Sequence, residues 1–248
     1  MVFDLFDTLV DLLSENMPRS EVAGRMIPDS FLRLHALTAE YGPVELDDFL
    51  SAMRKLEKQF LESHYSKQIE LPTEERFAAL ARGLDLHDPE LVDALVTTHM
   101  GAVYEHVRVV EHHREVLESL RDTARLGLCS NFSHVPTAER VLDEAQLSDL
   151  FDAIVISETV GIRKPRQEIF QATLDALGVD PRETLHVGDS LKADVEGAAA
   201  LGIRTVWITR RVPNPETALR EFAGPDPDFQ IRDLSELPEI VREIGRRP

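Results

Sequence analysis

The chain has 248 residues, 43% of them hydrophobic, with 27 basic and 45 acidic side chains, a formal net charge of -18 and one cysteine. That length suits one domain carrying an inserted subdomain, and the apolar content excludes wholesale disorder. The negative field excludes nucleic acid and anionic membrane surfaces as partners, and a lone cysteine excludes an intrachain disulfide. No apolar run is long enough to span a membrane and no signal peptide is evident, so a cytoplasmic protein, monomer or homodimer, is expected.

In chain order, the first ten residues predict a short buried strand from Val2, Phe3, Leu5, Phe6, Leu9 and Val10, interrupted by Asp4 and Asp7. A carboxylate set into such a strand is costly unless it is paired, hydrogen-bonded or bound to a metal. The ordinary alternative is a strand ending at Asp4, a turn at Asp7-Thr8 and Thr8 capping a helix. Only three residues precede Asp4, which leaves a start upstream of Met1 as an alternative.

From Ser20 to about Tyr104 the pattern is helical. Apolar residues recur at three-to-four-residue intervals through Phe31, Leu34, Leu37, Phe49, Met53, Leu56 and Phe60, with charges between them. Gly42-Pro43, Leu71-Pro72 and Asp88-Pro89 mark turns, and two further helices lie around Phe77–Leu80 and Leu91–Leu95.

Beyond Tyr104 the period changes. Helices are predicted at 114–121, 137–147, 167–177 and 193–200, and strands at 126–129, 153–156, 184–187 and 205–208. A last strand at 229–231 and a helix at 237–244 close the chain, after a Pro- and Glu-rich surface stretch from Pro213 to Pro227. Short apolar strands alternating with helices predict a doubly wound parallel sheet covered on both faces. The first strand must join that sheet. Residues 1–14 and 106–248 therefore read as one α/β core, and 15–105 as an inserted all-helical subdomain.

Functional groups of open parallel sheets gather at the carboxyl ends of the strands. Here those ends carry Asp4, then Ser130-Asn131, then Lys164 in Gly161-Ile162-Arg163-Lys164-Pro165, then Gly188-Asp189-Ser190 with Asp194. Each has an ordinary reading: Ser130 as a helix cap, Lys164 as a surface charge, Asp189 and Asp194 as a cap and a helix-start acid. Together and in this order they point to chemistry. Three close carboxylates would repel unless a divalent cation sat among them, and hard oxygen ligands suit Mg2+. Asp4 would attack phosphorus or carbon to form a covalent aspartyl intermediate, with Lys164 stabilising charge on the transferring group.

Asp4-Leu5-Phe6-Asp7-Thr8, Ser130, Lys164 and Gly188-Asp189-Ser190 with Asp194 resemble the four ordered motifs of the haloacid dehalogenase-like hydrolases, in the branch with a helical cap. The resemblance implies a Rossmann-like core, Asp4 as nucleophile and a catalytic role for Ser130 and Lys164. It also implies substrate binding by Ser130, Asn131 and Lys164. Mg2+ would be held by Asp4, the Phe6 carbonyl, Asp189 and Asp194, and the substrate would be a small anion, a phosphomonoester first of all.

Phe6 departs from the pattern. The family's phosphatases usually carry there an Asp that protonates the leaving oxygen and activates water, a role worth about 100- to 10,000-fold. An aromatic residue at this position is the habit of the family's dehalogenases, whereas Asp189 with Asp194 points to a metal and phosphoryl transfer. Three alternatives to a phosphatase therefore stay open: 2-haloacid dehalogenation, phosphonate cleavage through Lys55 or Lys58, and a low-turnover phospho-ligand- or partner-binding protein. His112, His113 and His134 lack a metal-ligand spacing and read as surface or loop residues. Cys129 reads as sheet packing.

Overall fold

Two apolar residues, Val2–Phe3, form the first strand (β1) in the computed structural model, which describes residues 1–246. Val10–Leu12 (β2) leads into an insert built from the hairpin Arg19–Val22 (β3) and Arg25–Pro28 (β4) and four helices. These helices are Asp29–Tyr41 (α1), Leu46–Ser63 (α2), Thr73–Gly83 (α3) and Pro89–Tyr104 (α4). The chain returns through Val107–Val109 (β5). It then alternates: His112–Arg121 (α5), Gly127–Ser130 (β6), Val135–Glu144 (α6), Ala153–Ile156 (β7), Ser157–Val160 (α7), Gln167–Leu177 (α8) and Leu185–Gly188 (β8). Gly197–Ala199 (α9), Arg204–Ile208 (β9), Pro215–Glu221 (α10), Phe229–Ile231 (β10) and Leu237–Arg246 (α11) complete it. The chain divides into two compact units, one of Met1–Asp11 with the segment from Arg108 onward, the other of Leu12–Val107.

Within the first unit the strands form one six-stranded sheet in the order β10-β9-β8-β1-β6-β7. Every pairing in it is parallel. The chain winds outward from β1 through β6 and β7, then begins again on the other side of β1 with β8. This reversal makes β1 the switch point of a Rossmann-like sheet, where a crevice opens at the carboxyl ends. The register sets Phe3 opposite both Leu128 and Val187, so the residues just past β1, β6 and β8 reach the same edge. Val2, Cys129, Val155, Ile169, Phe170, Leu174 and Leu177 pack into a core between sheet and α8. Burying each large side chain there contributes roughly 1.5–3 kcal/mol.

The helical reading of the insert departs from the structure at Arg19 to Pro28. Arg19-Ser20-Glu21-Val22 alternates exposed and half-buried positions, the period of a strand. Ala23 and Gly24 then take φ values of 50° and 75°, as a tight two-residue hairpin turn requires. A second departure lies beyond β8, where Leu191–Glu196 form a π-helical turn before α9. Asp194 therefore sits in that turn and not at the start of an α-helix.

Candidate active site

Asp4 follows β1 directly, and its backbone N–H donates to the Val187 carbonyl at 2.9 Å, which locks its side chain onto the sheet edge. Lys164 Nζ donates to Asp4 Oδ1 and to Asp194 Oδ1, each at 2.7 Å. The lysine side chain is 2% exposed, so the surface-charge reading of Lys164 does not apply. Asn131 holds it there: its Oδ1 accepts from the Lys164 backbone N–H at 2.7 Å and its Nδ2 donates to the Lys164 carbonyl at 3.0 Å. The amide expected to meet substrate thus fixes the loop that carries the cation.

Asp194 has more partners. His186 Nε2, on β8, lies 2.9 Å from Asp194 Oδ1, and the Ser190 backbone N–H donates to Oδ2 at 3.0 Å. This packing needs Gly188, because a Cβ there would stand 2.2 Å from Asp194 Cγ. Trp207 Nε1 donates to the Asp189 carbonyl at 2.7 Å and pins the loop between β8 and the π turn. Ser130 ends β6, fully buried, and α6 is capped at His134, so Ser130 is not the cap of that helix. Asp189 is not a cap either; Ser190 Oγ accepts from the Ala193 N–H at 3.1 Å.

Burial and charge crowding set the electrostatics. Burial alone would lower the Lys164 pKa, but Asp194 and Asp4 outweigh it and hold the ammonium firmly charged. Burial likewise opposes ionisation of Asp194, yet Lys164 and His186 keep its carboxyl well below the usual carboxylate range. Asp4 moves the other way: burial raises it, Asp194 repels it, and Lys164 only partly compensates. Asp189 is pushed up to about 8 by burial, then by the charges of Asp4 and Asp194. One oxygen from each of Asp4, Asp189 and Asp194 lies within 4.8 Å of the others. Three crowded carboxylates, two of them resisting ionisation, are a donor set that fits a hard divalent cation.

Phe6 is half-buried and its ring lies 4.7 Å from that of Phe132, tilted by 39°. Asp7 takes a left-handed backbone (φ 57°) and lies 3.4 Å from Arg211 Nε. Burial pushes the Cys129 thiol up to about 11, in keeping with a packing role. His134 Nδ1 lies 2.8 Å from Thr137 Oγ1. His113, expected at the surface, is fully buried. Lys55 and Lys58 are exposed on α2 of the other unit. Two residues of the site escape sequence reasoning, His186 and Trp207. The only signal was a polar side chain within an otherwise apolar strand.

A doubly wound parallel sheet with an insert after its first strand, and with an Asp-Lys-Asp cluster at its carboxyl edge, defines a Rossmann-like α/β protein with a charged site at its switch point. Residues 1–202 match the family model of the haloacid dehalogenase-like hydrolases. The chain belongs to that family. It is 33% identical over 208 residues to a glyceraldehyde 3-phosphate phosphatase of Pyrococcus abyssi, covering 83% of this chain and 79% of that protein. The enzyme of the same name from Pyrococcus furiosus is 30% identical over 247 residues, 98% of this chain and 93% of its own length. The crystal structure of a 2-haloacid dehalogenase from Pseudomonas syringae pv. Tomato shares the fold, with a TM-score of 0.68 at 22% identity, over 98% of this chain and 97% of that one.

Proposed function

We propose that this hydrolase is a Mg2+-dependent phosphatase of small phosphomonoesters, with Asp4 as the nucleophile. The observation that carries this reading is the buried Lys164 ammonium shared between Asp4 and Asp194 at 2.7 Å. A fixed cation beside a carboxylate at the mouth of a parallel sheet offsets part of the burial that opposes that carboxylate's ionisation, and it draws an anionic substrate against a net charge of -18. The phosphatase names of the two Pyrococcus relatives support the substrate class.

Asp4 would attack the phosphorus of the ester, forming an aspartyl phosphate as the alcohol leaves. Water would then attack the same phosphorus, releasing inorganic phosphate and restoring Asp4. Lys164 would neutralise charge on the phosphoryl oxygens in both steps, and the Ser130 hydroxyl would donate a hydrogen bond to one of them. Asp4, Asp189, Asp194 and the Phe6 carbonyl would hold Mg2+, which supplies further charge neutralisation at the transferring group. With Phe6 where the family's phosphatases usually carry an Asp, no carboxylate at that position protonates the leaving oxygen. Asp7 is engaged with Arg211. The leaving alkoxide would take its proton from solvent, which favours activated or acidic leaving groups.

The Phe6-Phe132 contact favours one second reading, a 2-haloacid dehalogenase. The test is release of phosphate from a panel of phosphomonoesters that includes glyceraldehyde 3-phosphate, with and without Mg2+, for wild type and Asp4→Asn. Mg2+-dependent release abolished by the substitution supports the phosphatase. Halide release from 2-haloacids without metal would replace it with the dehalogenase. Equal inactivity of both proteins with retained binding of a phosphomonoester would make the chain a phospho-ligand-binding protein, and loss of phosphonate cleavage on Lys55→Ala or Lys58→Ala would move the chemistry to the insert.

A further inference from the structure

A second group of metal-ligating side chains converges away from the acidic cluster, where α5 begins. His112 and His113 are the first two residues of α5, and Asp233 caps the 3-10 turn Leu234–Glu236 that leads into α11. One Asp233 oxygen, Oδ1, accepts from the Ser235 N–H at 3.0 Å and from Ser235 Oγ at 2.6 Å, and lies 2.8 Å from His112 Nε2. The other, Oδ2, faces His113 Nε2 at 3.8 Å.

His113 is the informative residue. Its side chain is 1% exposed, and its Nδ1 lies 2.9 Å from the Leu9 carbonyl oxygen. A carbonyl only accepts, so Nδ1 carries a proton, and in the neutral ring Nε2 is a bare lone pair. That nitrogen is buried and has no hydrogen-bond partner. Burial also pushes the ring's pKa down, which works against a second proton there. A lone pair facing a carboxylate oxygen across 3.8 Å is repulsive unless a cation lies between them. Arg210, the nearby guanidinium, already forms a two-pronged pair with Asp11 at 2.9 and 2.5 Å.

The geometry points to a second metal site, for an ion of the Zn2+ class, held by His112 Nε2, His113 Nε2 and Asp233. The three ligand atoms lie within 4.8 Å of one another. A tetrahedral ion with bonds of about 2.0–2.2 Å spaces its ligand atoms about 3.3 Å apart. His112 Nε2 stands 2.8 Å from Asp233 Oδ1 and His113 Nε2 3.8 Å from Oδ2, on either side of that spacing, so the one carboxylate faces both rings. Two imidazoles select Zn2+, Co2+ or Ni2+ over Mg2+, whose preference for oxygen suits the carboxylate cluster instead. The Leu9 carbonyl is the outer partner that fixes the His113 tautomer, as ligating histidines need. His112 is 47% exposed, which leaves solvent to fill the fourth position. The ion ties the start of α5, the entry to α11 and the segment that follows Asp4.

The test uses the full chain, stripped with EDTA and carrying Asp189→Asn to weaken the acidic cluster, titrated with Co2+ and followed by its visible absorption. One equivalent should bind with the intensity of a four-coordinate site, give way to equimolar Zn2+, persist in excess Mg2+ and raise the melting temperature. His112→Ala, at an exposed position that the fold tolerates, should weaken Co2+ binding at least about tenfold. His113→Gln, which keeps a polar group on Leu9, should do the same. Binding of unchanged affinity and spectrum in His112→Ala, or no Co2+ or Zn2+ binding below millimolar, overturns the site. Phosphate release plays no part in this readout, so failure of the proposed phosphatase activity leaves the result interpretable.

Discussion

Replacing Asp189 by Asn should make the metal-free protein more stable, although Asp189 is proposed to serve function. The folded structure raises the pKa of Asp189 from 3.8 to about 8, through burial and the charges of Asp4 and Asp194. As pH rises past 3.8 the unfolded chain releases this proton while the folded chain keeps it, so stability falls with pH. The fall continues until the folded group also ionises near 8 and is flat above. At about 1.4 kcal/mol per pH unit, the ceiling on the cost is about 6 kcal/mol. Asp189 is half-buried, and solvent access with local relaxation reduces this to about 1–3 kcal/mol at pH 8. For a chain of this size that is about 3–10 °C in melting temperature. Asn mimics the protonated acid and carries no such penalty. The measurement is urea unfolding of EDTA-treated wild type and Asp189→Asn from pH 4 to pH 9, followed by circular dichroism. The two curves should coincide near pH 4, separate progressively up to about pH 8 and run parallel beyond. Saturating Mg2+ should close the gap by stabilising wild type. A gap that does not vary with pH, or a less stable variant, would refute the reasoning.

Lys164→Met leaves Asp4 and Asp194 buried without their shared cation; urea unfolding at pH 7 should show a loss of about 3–5 kcal/mol, and turnover should vanish. A variant as stable as wild type would mean the cluster is solvated. Asn131→Ala removes both hydrogen bonds to the Lys164 backbone, so kcat should fall by at least about tenfold for a stability loss of about 1–3 kcal/mol; an unchanged kcat would deny Asn131 its positioning role. Phe6→Asp installs a carboxylate where the family's phosphatases have one, and should raise phosphate release from poor leaving groups by about 100-fold or more. Its loss of ring packing on Phe132 should lower the melting temperature, and a variant with no gain in turnover would show that solvent protonation is not the bottleneck.

The parts of this molecule legible in the sequence are those whose cause is local. Leu128, Val155 and Val187 sit in short apolar runs, so the strands were visible, and Asp4, Ser130 and Asp189 lie at most two residues past a strand, so their edge of the sheet was visible too. The hairpin from Arg19 to Pro28 was not, because its strands are short, the first of them is mostly polar, and its turn rests on the backbone angles of Ala23 and Gly24 rather than on an Asn-Gly pair. The charge state of the site is the least local property of all. Asp194 owes its low pKa to Lys164, 30 residues away along the chain, and to His186 on the neighbouring strand. Lys164 owes its placement to Asn131, 33 residues before it. His113 and Asp233 meet across 120 positions, so no spacing rule finds them. Motif order picks out the candidate reacting groups because each strand end is fixed by its own few residues. The donors that decide which of those groups hold protons are fixed by the fold, and only the fold reveals that Asp4 and Asp189, and not Asp194, resist their charge.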